Sequence, residues 1–167
     1  MPLQPDPLPR PLDHLAELAG AAGRGEDPAL VLRDATLNHN QLRQRVAVLA
    51  GWLAQVVPER GARVASWAAK GELTCLLPLA AARAGLVHVP INPLLKRAQA
   101  AHILADSGAA LLIGTQARLA SLEPDDLPQG CAALGEAEAL AAAVAAGREL
   151  GPSGADPADL AAILYTS

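Results

Sequence analysis

Three short, largely apolar runs, Arg63 to Ala68, Leu86 to Ile91 and Ala109 to Ile113, are separated by stretches of helical character that each end at a glycine. That alternation constrains the fold more than any other feature of the chain. Runs of this length and composition read as strands. The stretches between them, about Glu72 to Ala84 and Lys96 to Ser107, are long enough to cross over a sheet and stop at Gly85 and Gly108. Strand and helix in this order predict an α/β fold, a partial parallel or mixed sheet with flanking helices, and right-handed crossovers restrict its topology.

The same reading extends towards both ends. Leu12 to Leu18 reads as a short helix broken by Gly20 to Gly25, and Ala29 to Arg33 with Thr36-Leu37 reads as a hairpin turning at Asp34-Ala35. Asn38 is placed to cap a helix with Gln41 three residues later, and Leu42, Val46, Leu49, Leu53 and Val56 then follow a helical period. This predicts a helix from about Asn40 to Gln55, ended by Pro58 to Gly61. Pro78 removes a hydrogen bond from the helix around it, which predicts a kink there or a helix that starts near Pro78. Beyond Ile113 the pattern loosens: residues 114–157 read as an irregular excursion with one Ala-rich helix, about Gly135 to Ala146. A last strand, Asp159 to Tyr165, leads into Thr166 and Ser167. The expected organisation is a lead with a short helix at 1–27, followed by one segment at 28–167.

Several functions are disfavoured by composition. The 13 basic and 17 acidic residues give a net charge of −4 with no Lys/Arg cluster, so nucleic acid is not an expected partner. Trp52, Trp67 and Tyr165 are the only aromatic residues and form no stacking series. Cys75 and Cys131 belong to no Cys-x-x-Cys pair and lie near no His at zinc-ligand spacing, so no metal site is expected and both thiols read as idle. The longest apolar stretch, Leu73 to Ala82, is too short to span a bilayer. Met1 to Arg10 lacks the basic start and apolar core of a signal peptide, so the expected location is the cytoplasm.

Other residues that invite a functional reading have plainer explanations. His14, His39, His88 and His102 share no local motif with another His or a Cys and read as packed or surface residues. Gly20 to Gly25 precedes a strand instead of following one, unlike a dinucleotide loop, and Gly151-Pro-Ser-Gly154 lacks the setting of a nucleophile elbow. No catalytic residue is assigned.

Three segments carry a resemblance. The run Asp156-Pro-Ala-Asp-Leu-Ala-Ala-Ile-Leu-Tyr-Thr-Ser167 resembles the lead-in to the phosphate loop of the AMP-dependent, adenylate-forming synthetase family. Leu86-Val-His-Val-Pro-Ile-Asn-Pro-Leu-Leu-Lys96, followed by Ala101 to Ile113, resembles the family's strand, Pro-Ile-Asn-Pro turn, helix and strand unit. Ala29 to Leu37 resembles its opening hairpin. Within the family, Pro90-Ile-Asn-Pro-Leu-Leu-Lys96 and Ala101-His-Ile-Leu-Ala-Asp106 look most like the acyl-CoA ligases associated with exosortase A systems. His39-Asn-Gln-Leu42 stands where many members have Tyr-x-Glu-Leu.

The resemblance implies the first part of an adenylate-forming N-terminal domain. The full-length relative would activate a carboxylic acid, such as a fatty acid, with ATP and magnesium to an acyl-adenylate and pass the acyl group to CoA. Thr166 and Ser167 are the only residues it carries over, as hydroxyls contacting the nucleotide's phosphates. The chain alone is therefore expected to be inactive, to bind none of these cofactors well, and to self-associate through an exposed apolar sheet edge. The rival reading is a small non-catalytic α/β binding domain whose similarity is only that of generic strand–helix alternation.

Overall fold

The computed structural model describes residues 10–166. A 3-10 turn, Leu12–Ala16, and a single helical turn α1, Leu18–Ala21, precede the antiparallel hairpin of β1, Pro28–Val31, and β2, Thr36–Asn38. Helix α2 spans His39–Val56 and starts as its sequence predicts. The Asn38 side chain accepts the Gln41 N–H at 2.8 Å, and the Gln41 side chain accepts the Asn38 N–H at 2.9 Å.

Then come β3, Arg63–Trp67, α3, Glu72–Arg83, β4, Val87–Pro90, α4, Arg97–Ser107, and β5, Ala109–Gly114. Helix α3 starts well before Pro78 and runs through it; Thr74 Oγ1 accepts the Gly71 N–H at 2.9 Å at its first turn. Gly108, at φ 61°, ends α4 in the left-handed conformation that glycine adopts without strain. The stretch 114–157 contributes the short α5, Gln116–Leu119, a strand β6, Ala132–Gly135, and α6, Glu136–Ala146.

The strands β4, β3, β5 and β6 lie in that order in one parallel sheet. Consecutive strand residues face opposite sides, so each strand feeds two cores. Val64, Leu111 and Ile113 pack with Leu49, Leu53, Leu76, Leu77, Ala139 and Ala143 beneath α2, α3 and α6. Ala65, Trp67, Val89 and Leu112 pack with Ala100, Ile103 and Leu104 of α4 on the other face. The result is a sheet between two helical layers, built almost entirely from Leu, Val, Ile and Ala.

Small residues let the layers approach closely. A Cβ built on Gly51 of α2 would lie 1.9 Å from the Arg148 carbonyl oxygen, so only glycine fits there. The N-terminal turn is tied in by charge. Arg83 reaches Asp13 Oδ2 at 3.3 Å and Glu17 Oε1 at 2.7 Å, while Asp13 also accepts the Ser153 N–H at 2.9 Å and hydroxyl at 2.7 Å. The Asp13 and Arg83 side chains are buried, and this satisfied network is what permits charge inside the fold.

One expected element differs. Asp159 to Tyr165 is not a full strand: it makes a single parallel bridge, Ala162 to His88, outside β4. Among the described residues its backbone partners lie on the β4 side, and Leu160 and Leu164 are 63% and 72% exposed. An apolar run that reads as buried is here covered on one face, where Ile163 and Tyr165 join the core under α4.

Candidate functional site

In an open parallel sheet, ligands bind beyond the carboxyl ends of the strands, where successive connections leave in opposite directions. Here the chain passes from β3 to β4 on one side and then returns across β3 to β5 on the other. The reversal therefore falls between the ends of β3 and β5, at Trp67 and Gly114, which are paired in register.

Polar groups gather at that end. The Arg118 guanidinium stacks over the Trp67 ring, 5.7 Å from its centre. Its orientation is fixed by donation to Thr115 Oγ1 at 3.3 Å and to the Pro93 carbonyl, so residues following β4 and β5 hold one cation above the end of β3. The Trp67 indole N–H is buried and has no hydrogen-bond partner among the described residues, an arrangement that is uncommon because it forfeits a hydrogen bond. Burial raises the Glu136 carboxyl pKa, and the nearby positive Arg118 partly offsets it. This cluster was missed in the sequence; the one available signal was an aromatic residue at a strand's last position in a chain with only three aromatics.

The terminal segment runs in the same direction as β4. The His88 N–H donates to the Ala161 carbonyl, and the Ile163 N–H donates to the His88 carbonyl, both at 2.9 Å. The Tyr165 hydroxyl donates to Asp106 Oδ2 at 2.6 Å and pins the segment to the last turn of α4. That hydrogen bond, and then burial, raise the Tyr165 pKa. Thr166 is exposed at the leading end of the segment, and Ser167 lies outside the described residues. The two predicted hydroxyls are thus not seen together.

The histidines form no catalytic set. His88 Nε2 lies 2.9 Å from Ser66 Oγ, a spacing that suits a base and a nucleophile. Both residues are buried within the sheet, and burial lowers the His88 pKa to about 4, so the pair packs the core. His14 hydrogen-bonds the Ser153 carbonyl at 3.0 Å, and His102 is exposed. Among the described residues no group of three or more His, Cys, Asp or Glu side chains could hold a metal ion. Among them, too, no helix is long and apolar enough to cross a membrane.

A doubly covered parallel sheet with a strand-order reversal defines an α/β domain of the kind that carries ligands at its strand ends. Residues 19–167 match the AMP-binding enzyme family, and the chain belongs to that family. It is 32% identical over 143 residues to the L-proline--[L-prolyl-carrier protein] ligase of Pseudomonas fluorescens, a match covering 83% of this chain and 29% of that protein. The fold matches the N-terminal domain of FACL13 from Mycobacterium tuberculosis with a TM-score of 0.83 at 23% identity, over 93% of this chain and 41% of that one. It also matches a benzoate CoA ligase from Burkholderia xenovorans with a TM-score of 0.80 at 20% identity, over 92% of this chain and 32% of that one. The chain thus spans less than half the length of each of these relatives. Family membership also replaces the rival reading of a chance likeness between unrelated strand–helix repeats.

Proposed function

We propose that this chain is the N-terminal part of an AMP-forming acyl-CoA ligase of the exosortase A-associated kind. Residues 28–167 open the adenylation domain and 1–27 form its lead. The whole enzyme would join a fatty acid to AMP, releasing pyrophosphate, and then move the acyl group to the CoA thiol. The observation that carries this reading is the run from Asp156 to Tyr165, anchored on β4 and α4, with Thr166 exposed at its leading end. The runs Pro90-Ile-Asn-Pro-Leu-Leu-Lys96 and Ala101-His-Ile-Leu-Ala-Asp106 support the acyl-CoA ligase assignment. Supply of ATP and CoA makes the cytoplasm its place of work.

In this reading Thr166 and Ser167 direct their hydroxyls at phosphate oxygens, beside backbone N–H groups of a following loop. A triphosphate needs several converging donors and neutralising cations. Thr166 is one hydroxyl, and no metal-holding carboxylate group accompanies it among the described residues. No phosphoryl or acyl step is therefore assigned to these residues, and the chain by itself is inactive.

A second reading concerns the acceptor. The 32% identical relative is named as a ligase that loads a carrier protein, which favours a carrier-protein thiol in place of CoA.

The test begins with the coding sequence after Ser167. A continuation Gly-[Ser/Thr]-Thr-Gly supports the phosphate loop, and an immediate stop codon overturns it. Exchange of pyrophosphate into ATP is then measured on the extended protein with a panel of fatty and amino acids. Thioester formation is measured with CoA and with a carrier protein. Exchange with fatty acids and transfer to CoA is the expected result; exchange with proline alone and transfer only to the carrier overturns the CoA reading. Pyrophosphate release above background by the present chain overturns its inactivity.

A further inference from the structure

The segment that leads to Thr166 is held by different means along its length. Its start is tied by the ion pair of Arg60 with Asp159 at 2.8 Å. Its middle is tied by two backbone hydrogen bonds, both to His88 of β4. Every second residue of a strand bonds the same neighbour: Val87 and Ile91 donate to the Ala62 and Ser66 carbonyls on the β3 side, which leaves Pro90 as the next residue after His88 to face the terminal segment. Proline has no N–H to offer the Ile163 carbonyl. The ladder stops there, and among the described residues no further backbone bond joins the segment to β4. From that point a side chain takes over. The Tyr165 hydroxyl donates to Asp106 Oδ2 at 2.6 Å, the short distance of a hydrogen bond to a carboxylate. Asp106 stands in the last turn of α4, whose Ile103 and Leu104 are buried against the sheet and whose end is fixed by Gly108.

We propose that Asp106 is a positioning residue: acting through the Tyr165 hydroxyl, it fixes the direction in which Thr166 and the residues after it leave the sheet, and so the fit of that loop to the phosphates of ATP. The inference rests on the phosphate-loop reading of Thr166 and Ser167. Asp106 lies 59 positions before Tyr165 and acts on the nucleotide only through it. The replacement of a missing ladder bond by a carboxylate on a packed helix holds the last residue before the hydroxyls without another strand, and small displacements of phosphate-contacting groups weaken binding and catalysis.

Pyrophosphate exchange into ATP by the extended protein tests it, with Asp106→Ala, Asp106→Asn, Tyr165→Phe and the double variant Asp106→Ala/Tyr165→Phe. Asp106→Ala and Tyr165→Phe are each expected to raise the KM for ATP about three- to tenfold while the KM for the carboxylic acid stays unchanged. The double variant is expected to lose no more than either single one, because both remove the same hydrogen bond. Asp106→Asn, whose amide oxygen still accepts the hydroxyl, is expected to lose less than Asp106→Ala. A purely structural role would lower the melting temperature without separating ATP from the acid, and circular dichroism checks that each variant is folded. Additive losses in the double variant, equal changes in both KM values, or wild-type kinetics in Asp106→Ala overturn the proposal and leave the ligase reading standing. Absence of exchange in the extended wild type overturns both.

Discussion

Ser66 and His88 share a hydrogen bond of 2.9 Å across the β3–β4 pair, and each is only 4% exposed. The folded state thus holds an imidazole that is costly to protonate.

The first prediction follows from that cost. Burial lowers the His88 pKa from 6.5 to about 4, so between those values the unfolded chain binds more protons than the folded one. His88 is neutral in both states above the higher value and imposes no penalty there. The penalty grows as pH falls from 6.5 to 4 and reaches at most about 3 kcal/mol. Urea denaturation at pH 7 and pH 4.5 is expected to show this loss in the wild type and a smaller one in His88→Gln.

Removing one carboxylate from a buried charge network leaves the guanidinium short of compensation, even though Glu17 still pairs with Arg83 at 2.7 Å. Asp13→Ala strips Arg83 of its buried carboxylate and Ser153 of two contacts. A loss of about 3 kcal/mol is expected, read as a lower denaturation midpoint.

Gly51→Ala places a methyl group against the Arg148 carbonyl oxygen, where the gap is 1.9 Å. Backbone must move to admit it, and destabilisation of about 1–3 kcal/mol is expected. The Leu150 amide, bonded to the Ala47 carbonyl at 3.0 Å, is expected to exchange faster in the variant.

The two thiols are expected to react at different rates. Cys75 is exposed, whereas burial pushes the Cys131 thiol up to about 11. At pH 8 roughly a thousandth of Cys131 is thiolate. Labelling with a disulfide reagent is expected to modify Cys75 first, and comparable rates would contradict the partial burial of Cys131.

The central architecture was legible because its signals agree. Asn38 and Gln41 marked the start of α2, glycines marked the ends of α3 and α4, and apolar runs marked β3, β4 and β5. β6 was not legible: Ala132 and Ala133 are exposed, so burial imposes no pattern on them, and the strand exists through its backbone pairing with β5. The terminal run misled in the opposite sense, because an apolar sequence does not reveal how many of its sides are covered. Pro78 left a helix that still begins at Glu72, since packing of Leu73, Leu76 and Leu77 into the core outweighs the one lost hydrogen bond. The Trp67–Arg118 stack brings together residues that no local pattern connects.

Asp13 and Ser153 meet through two hydrogen bonds although 140 positions separate them. The stretch between them is therefore closed into a loop, and removing either residue would release the other. Contacts so remote in sequence carry a large closure entropy, which favours their forming late in folding.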